Sequence, residues 1–535
     1  MTTPSRPRQE PGSPTEAVDL QRRKLPIGIQ TFREIREEGY YYVDKTGMAV
    51  QLVNQGKHYF LSRPRRFGKS LFLDTLKELF EGNKPLFSGL AAEAAWDWEK
   101  SYPVIRISFG GGVLGSVIDL GQSLHQQLTT LEDRFGRTAR FPDVRSRFKD
   151  LLAHTVQRTG QRVVVLVDEY DKPILDCIED KDTARQMREV LKDFYAVLKD
   201  ADEHLKFVFL TGVSKFSKVS LFSGLNNLQD ITLDARYSAI CGYTDFDVDT
   251  VFAAELPGLD RAQIRDWYNG YNWLGESVYN PFGLLQLFDQ RHIMPYWFET
   301  GTPTFLIKLL QQRQQFTPKL GHLVASASLL STFDVDNLPV EALMFQAGYL
   351  TVDQSWQTPG ELEITLKYPN LEVKTSLNKS LLQSLSGGPS VQVSRVYKLL
   401  QTQDFAGLKD LFHAFYASIA NDWYRKNELA GFEGYYASVF YSYLAALGLD
   451  INLEDPTSIG RIDMSVHFCG HIYLFEFKVV ELTPKGAALQ QLKDKGYADK
   501  FKASGQPIHL IGVEFSKASR NIVGFEVETL ADFGG

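Results

Sequence analysis

The sequence predicts a multidomain α/β protein, and three observations carry that prediction. The chain has 535 residues, too many for one hydrophobic core, so domains of roughly 100–200 residues each are expected. From Leu25 to about Ala235, short apolar runs alternate with longer segments of helical periodicity, the rhythm of a parallel sheet covered by helices. Near the C-terminus, RIDMSVHFCGHIYLFEFKVV at 461–480 reads as a hairpin inside a second, mixed α/β domain.

The first domain is expected over 25–241. Its strands are HYFL at 58–61, VIRISF at 104–109, VVVLV at 163–167, FVFL at 207–210 and ITL at 231–233. Apolar residues at helical spacing predict helices over 69–80, 117–135 and 184–198. Residues 242–395 read as a helical lid followed by a strand-rich, winged-helix-like unit that contains FQAGYLTVD at 345–353, ELEITLKYP at 361–369 and LEVKTSL at 371–377. A polar break, LSGGPSVQVS at 385–394, precedes the last domain, 396–535, with the helical pattern GFEGYYASVFYSYLAAL at 431–447.

Composition narrows the setting. The chain is 44% hydrophobic and 23% charged, and no apolar run approaches the ~18 residues that cross a bilayer. Cys177, Cys241 and Cys469 lie far apart with no CxxC pair, which excludes a disulfide framework and a zinc knuckle and predicts a reducing, cytoplasmic location. Residues 1–24 are polar, rich in Pro, Ser and Thr, and lack the apolar core of a secretion signal, so a disordered tail is expected there. A net charge of −7 confines any nucleic-acid contact to a local patch. No repeat of solenoid length is visible.

The strand at 58–61 leads into RPRRFGKS at 63–70 and then LFLDTLKELF, the strand, loop and helix context of a phosphate-binding loop. Backbone N–H groups of the loop, at Arg66 and Gly68, would face the phosphates, Lys69 would reach the β and γ phosphates, and Ser70 would hold Mg²⁺. VVVLV ends in Asp168-Glu169-Tyr170-Asp171, which puts carboxylates at the tip of a buried strand, where open α/β sheets bind ligands. Asp168 is the candidate for the Mg²⁺ shell and Glu169 for orienting or deprotonating water, while Thr211 and Ser214 are candidate γ-phosphate sensors. The blander reading is a basic helix cap and an acidic loop start. One departure stands out: Arg63 occupies the place of the first glycine of GxxxxGK[ST] and lacks glycine's backbone freedom.

With SRPRRFGKS, LPIGIQTFREIREEGYYYVDKT at 25–46, LTGVSKFSKVSLFSGLNNLQDITL at 210–233, YNGYNW at 268–273 and VYNPFGLL at 278–285, residues 25 to about 380 resemble the AAA-ATPase-like family. In that family SRPRRFGKS replaces the usual glycine pattern, so the resemblance makes Arg63 an expected residue. It implies an AAA-type P-loop domain that binds and hydrolyses ATP with Mg²⁺, and a homo-oligomer, because such sites often complete themselves across subunits. Arg236 and Arg265 are candidates for arginine finger or sensor, with solvated or salt-bridged arginines as the alternative.

Glu-x-Lys occurs at 179–181, 372–374 and 476–478, so spacing alone selects nothing. Only Glu476 and Lys478 sit in an apolar strand, where period two puts both on one face and Phe475 and Phe477 on the other. Two charges on such a face need a reason. Asp463, across a turn at Cys469-Gly470-His471, would join Glu476 in a two-carboxylate site for Mg²⁺ or Mn²⁺, and Lys478 would position the nucleophile. This end of the chain resembles the PD-(D/E)XK nuclease superfamily of restriction-endonuclease-like domains. The resemblance implies a further metal-binding glutamate, Glu433, at the start of EGYYASVFYSYL, and matches Gln491 and Tyr497 to a motif that follows the EFK strand. These two and Lys495, in a segment that also carries Lys485, Lys493, Lys500 and Lys502, are candidate DNA contacts; a solvated helix face is the alternative.

Two functions remain open on the sequence. One is an ATP-regulated, metal-dependent deoxyribonuclease with DNA as partner, a protein activator as trigger and, by analogy of architecture alone, a role in defence against foreign DNA. The other is an ATP-gated module that grips nucleic acid or protein through a nuclease fold without activity.

Overall fold

A computed structural model describes residues 21–215, 227–300, 306–307, 309–310, 320–321, 323–331, 339–385, 392–419, 433–457 and 459–530. Most of the expected N-terminal tail, 1–20, lies outside the described residues, as do 216–226 of the family-like stretch 210–233 and 386–391 of the polar break.

The first sheet holds β1 (His58–Ser62), β2 (Val104–Ser108), β3 (Val163–Asp168), β4 (Leu205–Gly212) and β5 (Gln229–Asp230) in the order β2-β3-β4-β1-β5. Every pairing in it is parallel. Strands buried on both faces read as continuous apolar runs, and β3, VVVLVD, is buried at every residue. Helices Lys69–Phe80, Val117–Arg134, Val144–Thr159 and Lys181–Asp200 cover the sheet. Ser116, Asp143 and Asp180 start the last three by accepting hydrogen bonds from backbone N–H groups of the first turn. Because β4 lies between β1 and β3, the tip of β4 separates the phosphate-loop strand from the acidic strand. The fifth strand is a correction: it is Gln229–Asp230 and not 231–233, because Asp230 Oδ1 accepts the Thr232 N–H at 2.9 Å and turns the chain out of the sheet.

Helices Asp245–Thr250, Arg261–Tyr268 and Pro281–Gln290 pack their apolar residues onto Tyr41 and Val43. An antiparallel sheet follows, in the order β6 (Leu323–Ser326), β8 (Leu362–Lys367), β7 (Thr351–Gln357). LEVKTSL, read as part of the strand-rich unit, instead begins the helix Leu371–Leu385. Asn370 Oδ1 accepts the Val373 N–H at 3.1 Å, a side-chain cap that favours a helical start over an extended one. Val373, Leu377 and Leu381 of this helix join the core of the first sheet, and Leu382 joins the core of the C-terminal domain.

That domain contains β9 (Asp450–Pro456), β10 (Arg461–Phe468), β11 (His471–Val480), β12 (Ile508–Ser516) and β13 (Ile522–Leu530), in the order β13-β12-β11-β10-β9. β11 and β12 run parallel, joined by a crossover that includes the helix Ala487–Asp494; the other pairs are antiparallel. The predicted hairpin turn is present, with Cys469 and Gly470 at φ 49° and 77°, the left-handed conformation that tight β-turns demand. Phe475 and Phe477 face a core shared with Phe440 of the helix Glu433–Ala446. Ile472 and Leu474 face Leu492 and Tyr497 on the other side, so the period-two reading of β11 holds.

Candidate functional sites

The loop after β1 leads into the N-terminus of the helix Lys69–Phe80. Its positive φ values fall at Arg66 (62°) and Gly68 (88°), with none at Arg63. Left-handed residues in such a loop turn backbone N–H groups toward a common concavity, suited to anions. The Lys69 ammonium is buried and donates to the carbonyls of Arg63 and Pro64, each at 2.9 Å. Burial lowers its pKa, while Asp168 and Glu169 act in the opposite direction. A phosphate reaching Lys69 competes with those two carbonyls.

Arg63 has a use the sequence did not reveal. Its guanidinium is fully buried, donates to the carbonyls of Ser62 (2.9 Å), Thr232 (3.0 Å) and Tyr237 (2.9 Å), and lies over the Trp273 ring with Cζ 4.0 Å from the centroid. Burial brings its pKa down to about 10. Where a glycine would offer freedom, this arginine ties the loop to the segments that follow β5 and precede the lid helix Pro281–Gln290.

Asp168 and Glu169 stand at the tip of β3, opposite the loop. Glu169 adopts φ 55°, an uncommon left-handed conformation for a residue with a side chain. Burial raises its pKa, and Lys69 pulls it back. Thr211 and Ser214, the candidate γ-phosphate sensors, each bond a carboxylate of the acidic strand end. The Thr211 hydroxyl donates to Asp168 Oδ1 at 2.8 Å, and the Ser214 hydroxyl donates to Asp171 Oδ2 at 2.6 Å. Both serve to orient carboxylates. Arg236 pairs with Asp234 at 2.6 Å and Arg265 with Asp245 at 2.8 Å, so both candidate fingers are salt-bridged within the chain.

A cavity of about 630 Å³ opens over this loop, lined by Arg66, Gly68, Lys69 and Ser70 at one end and Glu169 at its acidic edge. Tyr42, Tyr243 and Phe282 wall the same cavity. Tyr42 and Phe282 lie in the family-like stretches 25–46 and 278–285, but nothing in the sequence marked them, or Tyr243, as walls of one cavity. The size and the mixture of apolar wall and few polar groups suit a nucleotide. Ser70 and the Asp168–Glu169 pair are the oxygen donors of the sort Mg²⁺ takes.

At the C-terminal site, β10 and β11 bring Asp463 beside Glu476: Asp463 Oδ2 accepts the Phe477 N–H at 2.8 Å. Glu476 is fully buried. Its Oε1 accepts from Lys478 Nζ at 3.0 Å and from Gln491 Nε2, and its Oε2 is buried with no hydrogen-bond partner. Burial first, and then the Asp463 charge, raise Glu476 to about 7. Burial likewise raises Asp463. A buried carboxylate oxygen without a partner is costly, and carboxylate oxygens such as those of Asp463 and Glu476 are donors of the kind divalent cations take. The Glu433 carboxylate, the further ligand candidate, is half-exposed, accepts the Val479 N–H at 3.3 Å and lies 4.0 Å from Lys478 Nζ. Among the described residues no three acidic, histidine or cysteine side chains are grouped closely enough to hold a metal ion.

The candidate DNA contacts separate. Gln491 binds Glu476 and supports that carboxylate, and Tyr497 is buried in the core under the helix Ala487–Asp494, so neither faces an open surface. Lys495 is exposed. Lys493, Lys500 and Lys502 pair with Glu528, Asp455 and Asp499, as the solvated-face alternative anticipates. Sequence reasoning also missed Glu514, a buried β12 residue that accepts the Ala487 N–H at 2.6 Å and so caps the helix that carries Gln491. The signal was a lone acid in the apolar run IHLIGVEFS.

Among the described residues no helix is long and apolar enough to cross a membrane. The family model described as "Predicted AAA-ATPase" matches residues 26–222, and that of the PD-(D/E)XK nuclease superfamily matches residues 431–525. A protein of Azotobacter chroococcum mcd 1, described as "Uncharacterized protein in vnfD 5′ region", is 61% identical over 515 residues, spanning 96% of this chain and all of that protein. The chain therefore belongs to one family with the Azotobacter protein, and joins an AAA-ATPase-like domain to a C-terminal domain of the PD-(D/E)XK nuclease superfamily.

Proposed function

We propose that the protein is an ATPase whose nucleotide state regulates a divalent-metal-dependent nuclease acting on DNA. The observation that carries the nuclease half is the Glu476 carboxylate, buried with one oxygen unpartnered beside Asp463 and Lys478. Buried polar atoms are ordinarily hydrogen-bonded, so an oxygen left open next to a second carboxylate and a lysine supports a ligand at that position.

In this reading Asp463 and Glu476 hold Mg²⁺ or Mn²⁺, which supplies charge stabilisation at the scissile phosphate and a more acidic bound water. Lys478, already 3.0 Å from Glu476, neutralises charge and positions the nucleophile. Gln491 holds the Glu476 carboxylate in place, and Glu433 keeps Lys478 oriented. In the other domain Lys69 draws the β and γ phosphates into the loop, Ser70 and Asp168 hold Mg²⁺, and Glu169 orients the attacking water. Thr211 fixes Asp168 for that task.

The deciding experiment compares wild type with Lys69→Ala, Glu169→Gln and Glu476→Ala on linear, circular and single-stranded DNA, with and without ATP and Mg²⁺. Cleavage lost in Glu476→Ala and altered in both ATP-site variants supports the reading; cleavage unchanged in Glu476→Ala sinks it. That no three acidic, histidine or cysteine side chains among the described residues are grouped closely enough to hold a metal ion favours a second reading, an ATP-gated module that grips nucleic acid or protein through a nuclease fold without activity. Metal-independent DNA binding without products would establish it. A nuclease held in check by a nucleotide also suits defence against foreign DNA, triggered by a protein activator and built as a homo-oligomer; unchanged phage plating on expressing cells, or a monomeric mass with ATP bound, would remove those parts.

A further inference from the structure

One helix touches both halves of the molecule. Leu371–Leu385 gives Val373, Leu377 and Leu381 to the core of the first sheet and Leu382 to the C-terminal core. At its first turn Glu372 is fully buried, and its Oε1 accepts the backbone N–H groups of Trp297 at 2.7 Å and Phe298 at 3.3 Å. The Trp297 indole N–H in turn donates to the carbonyl of Arg65, inside the phosphate loop, at 3.0 Å. Half a turn on, Lys374 Nζ donates to the carbonyl of Leu449 at 3.0 Å, directly before β9. The same helix packs along Glu433–Ala446, whose first residue accepts from Val479 and lies beside Lys478. An unbroken line of contacts thus runs from the phosphate loop to the nuclease carboxylates.

Burial makes two links of that line unusual. Glu372 Oε2 has no hydrogen-bond partner, and the Glu372 carboxyl is pushed up to about 8 by burial. Lys374 is half-buried with a carbonyl as its acceptor, and burial lowers its pKa. A fully buried acid and a half-buried ammonium two residues apart, each aimed at the backbone of a different segment, are costly as plain scaffolding. They are well suited to locking two bodies into one register.

We propose that the helix Leu371–Leu385 is the strut that carries the nucleotide state to the nuclease site, with Glu372 as its input anchor and Lys374 as its output anchor. The inference rests on the proposed ATP regulation and names its physical route. Nucleotide entry rearranges the loop around Arg65, the Trp297 and Glu372 contacts carry that shift to the strut, and Leu449 and the helix Glu433–Ala446 move with it. Glu372 and Lys374 are positioning residues that touch neither ATP nor DNA.

Backbone amide exchange reads the strut without requiring DNA cleavage. Wild type, Glu372→Gln and Lys374→Met are each saturated with ATP and Mg²⁺, and binding is checked with a fluorescent ATP analogue. In wild type, exchange in 433–446 is expected to change by roughly 5-fold or more on nucleotide binding. In both variants that response is expected to vanish while analogue binding persists. A wild type that binds ATP with no change in 433–446, or variants that keep the full response, overturns the strut, as does a wild type that binds no ATP. A response present in wild type and absent in both variants upholds the strut even where no DNA is cut, in which case the nuclease reading falls alone.

Discussion

The Thr211 hydroxyl lies 2.8 Å from Asp168 Oδ1, tying together the tips of two neighbouring parallel strands. A threonine expected to face phosphate instead fixes the carboxylate assigned to the Mg²⁺ shell. Thr211→Val keeps the shape and removes the bond. ATP turnover should fall roughly 10- to 100-fold, the usual cost of losing a partner that orients a metal ligand, with little change in KM. Steady-state ATPase kinetics across Mg²⁺ concentrations test this, and wild-type kcat would refute it.

Arg63 gives a prediction of stability. Arg63→Gly restores the glycine of the common loop pattern, but it removes a guanidinium bonded to three carbonyls and stacked on Trp273. Unfolding free energy should drop by on the order of 3 kcal/mol, since buried acceptors lose their donors. Chemical denaturation with and without ATP measures it.

Lys69→Met removes the ammonium while keeping much of the side-chain length. ATP affinity should weaken roughly 10- to 150-fold, the worth of a lost charged hydrogen bond. Equilibrium binding of a fluorescent ATP analogue reports the loss, and near-normal affinity would mean that the phosphates bind elsewhere.

Glu476, raised to about 7, makes the nuclease site sensitive to pH. Below 7 the carboxyl is protonated and cannot ligate a cation, so cleavage at limiting Mg²⁺ should rise as pH passes upward through 7. Higher Mg²⁺ should move that midpoint to lower pH, because metal and proton compete. Without metal the sign for stability is opposite. Between the unfolded value near 4.5 and the folded value near 7 the native state holds the extra proton, so wild-type stability declines across that interval. Glu476→Gln, which does not titrate, should gain on wild type across the same window in metal-free thermal melts.

Four strands of the first sheet and the β10–β11 hairpin were legible because uninterrupted apolar runs and period-two alternation depend on neighbours in sequence. The helix beginning at Leu371 was not, since LEVKTSL mixes β-branched and charged residues, and its cap comes from Asn370, one residue before the segment considered. β6, with only four residues, offered too short a pattern. Asp463, Glu476 and Lys478 were readable as a group because a hairpin of fixed register brings them together. The roles of Arg63, Gln491 and Thr211 were not, because each depends on a partner distant in sequence that only folding supplies.

The anchoring of Arg63 also bears on where the first domain can be cut. Two of its three carbonyl acceptors, on Thr232 and Tyr237, and the ring it stacks on, Trp273, all lie beyond residue 222, where the ATPase family match ends. A fragment stopped there would carry the whole GKS motif and yet leave a bare cation in its interior. A piece expected to fold and bind ATP on its own must extend beyond Trp273, and limited proteolysis should spare the chain from the phosphate loop through the helix Leu371–Leu385, whose Val373, Leu377 and Leu381 complete that core.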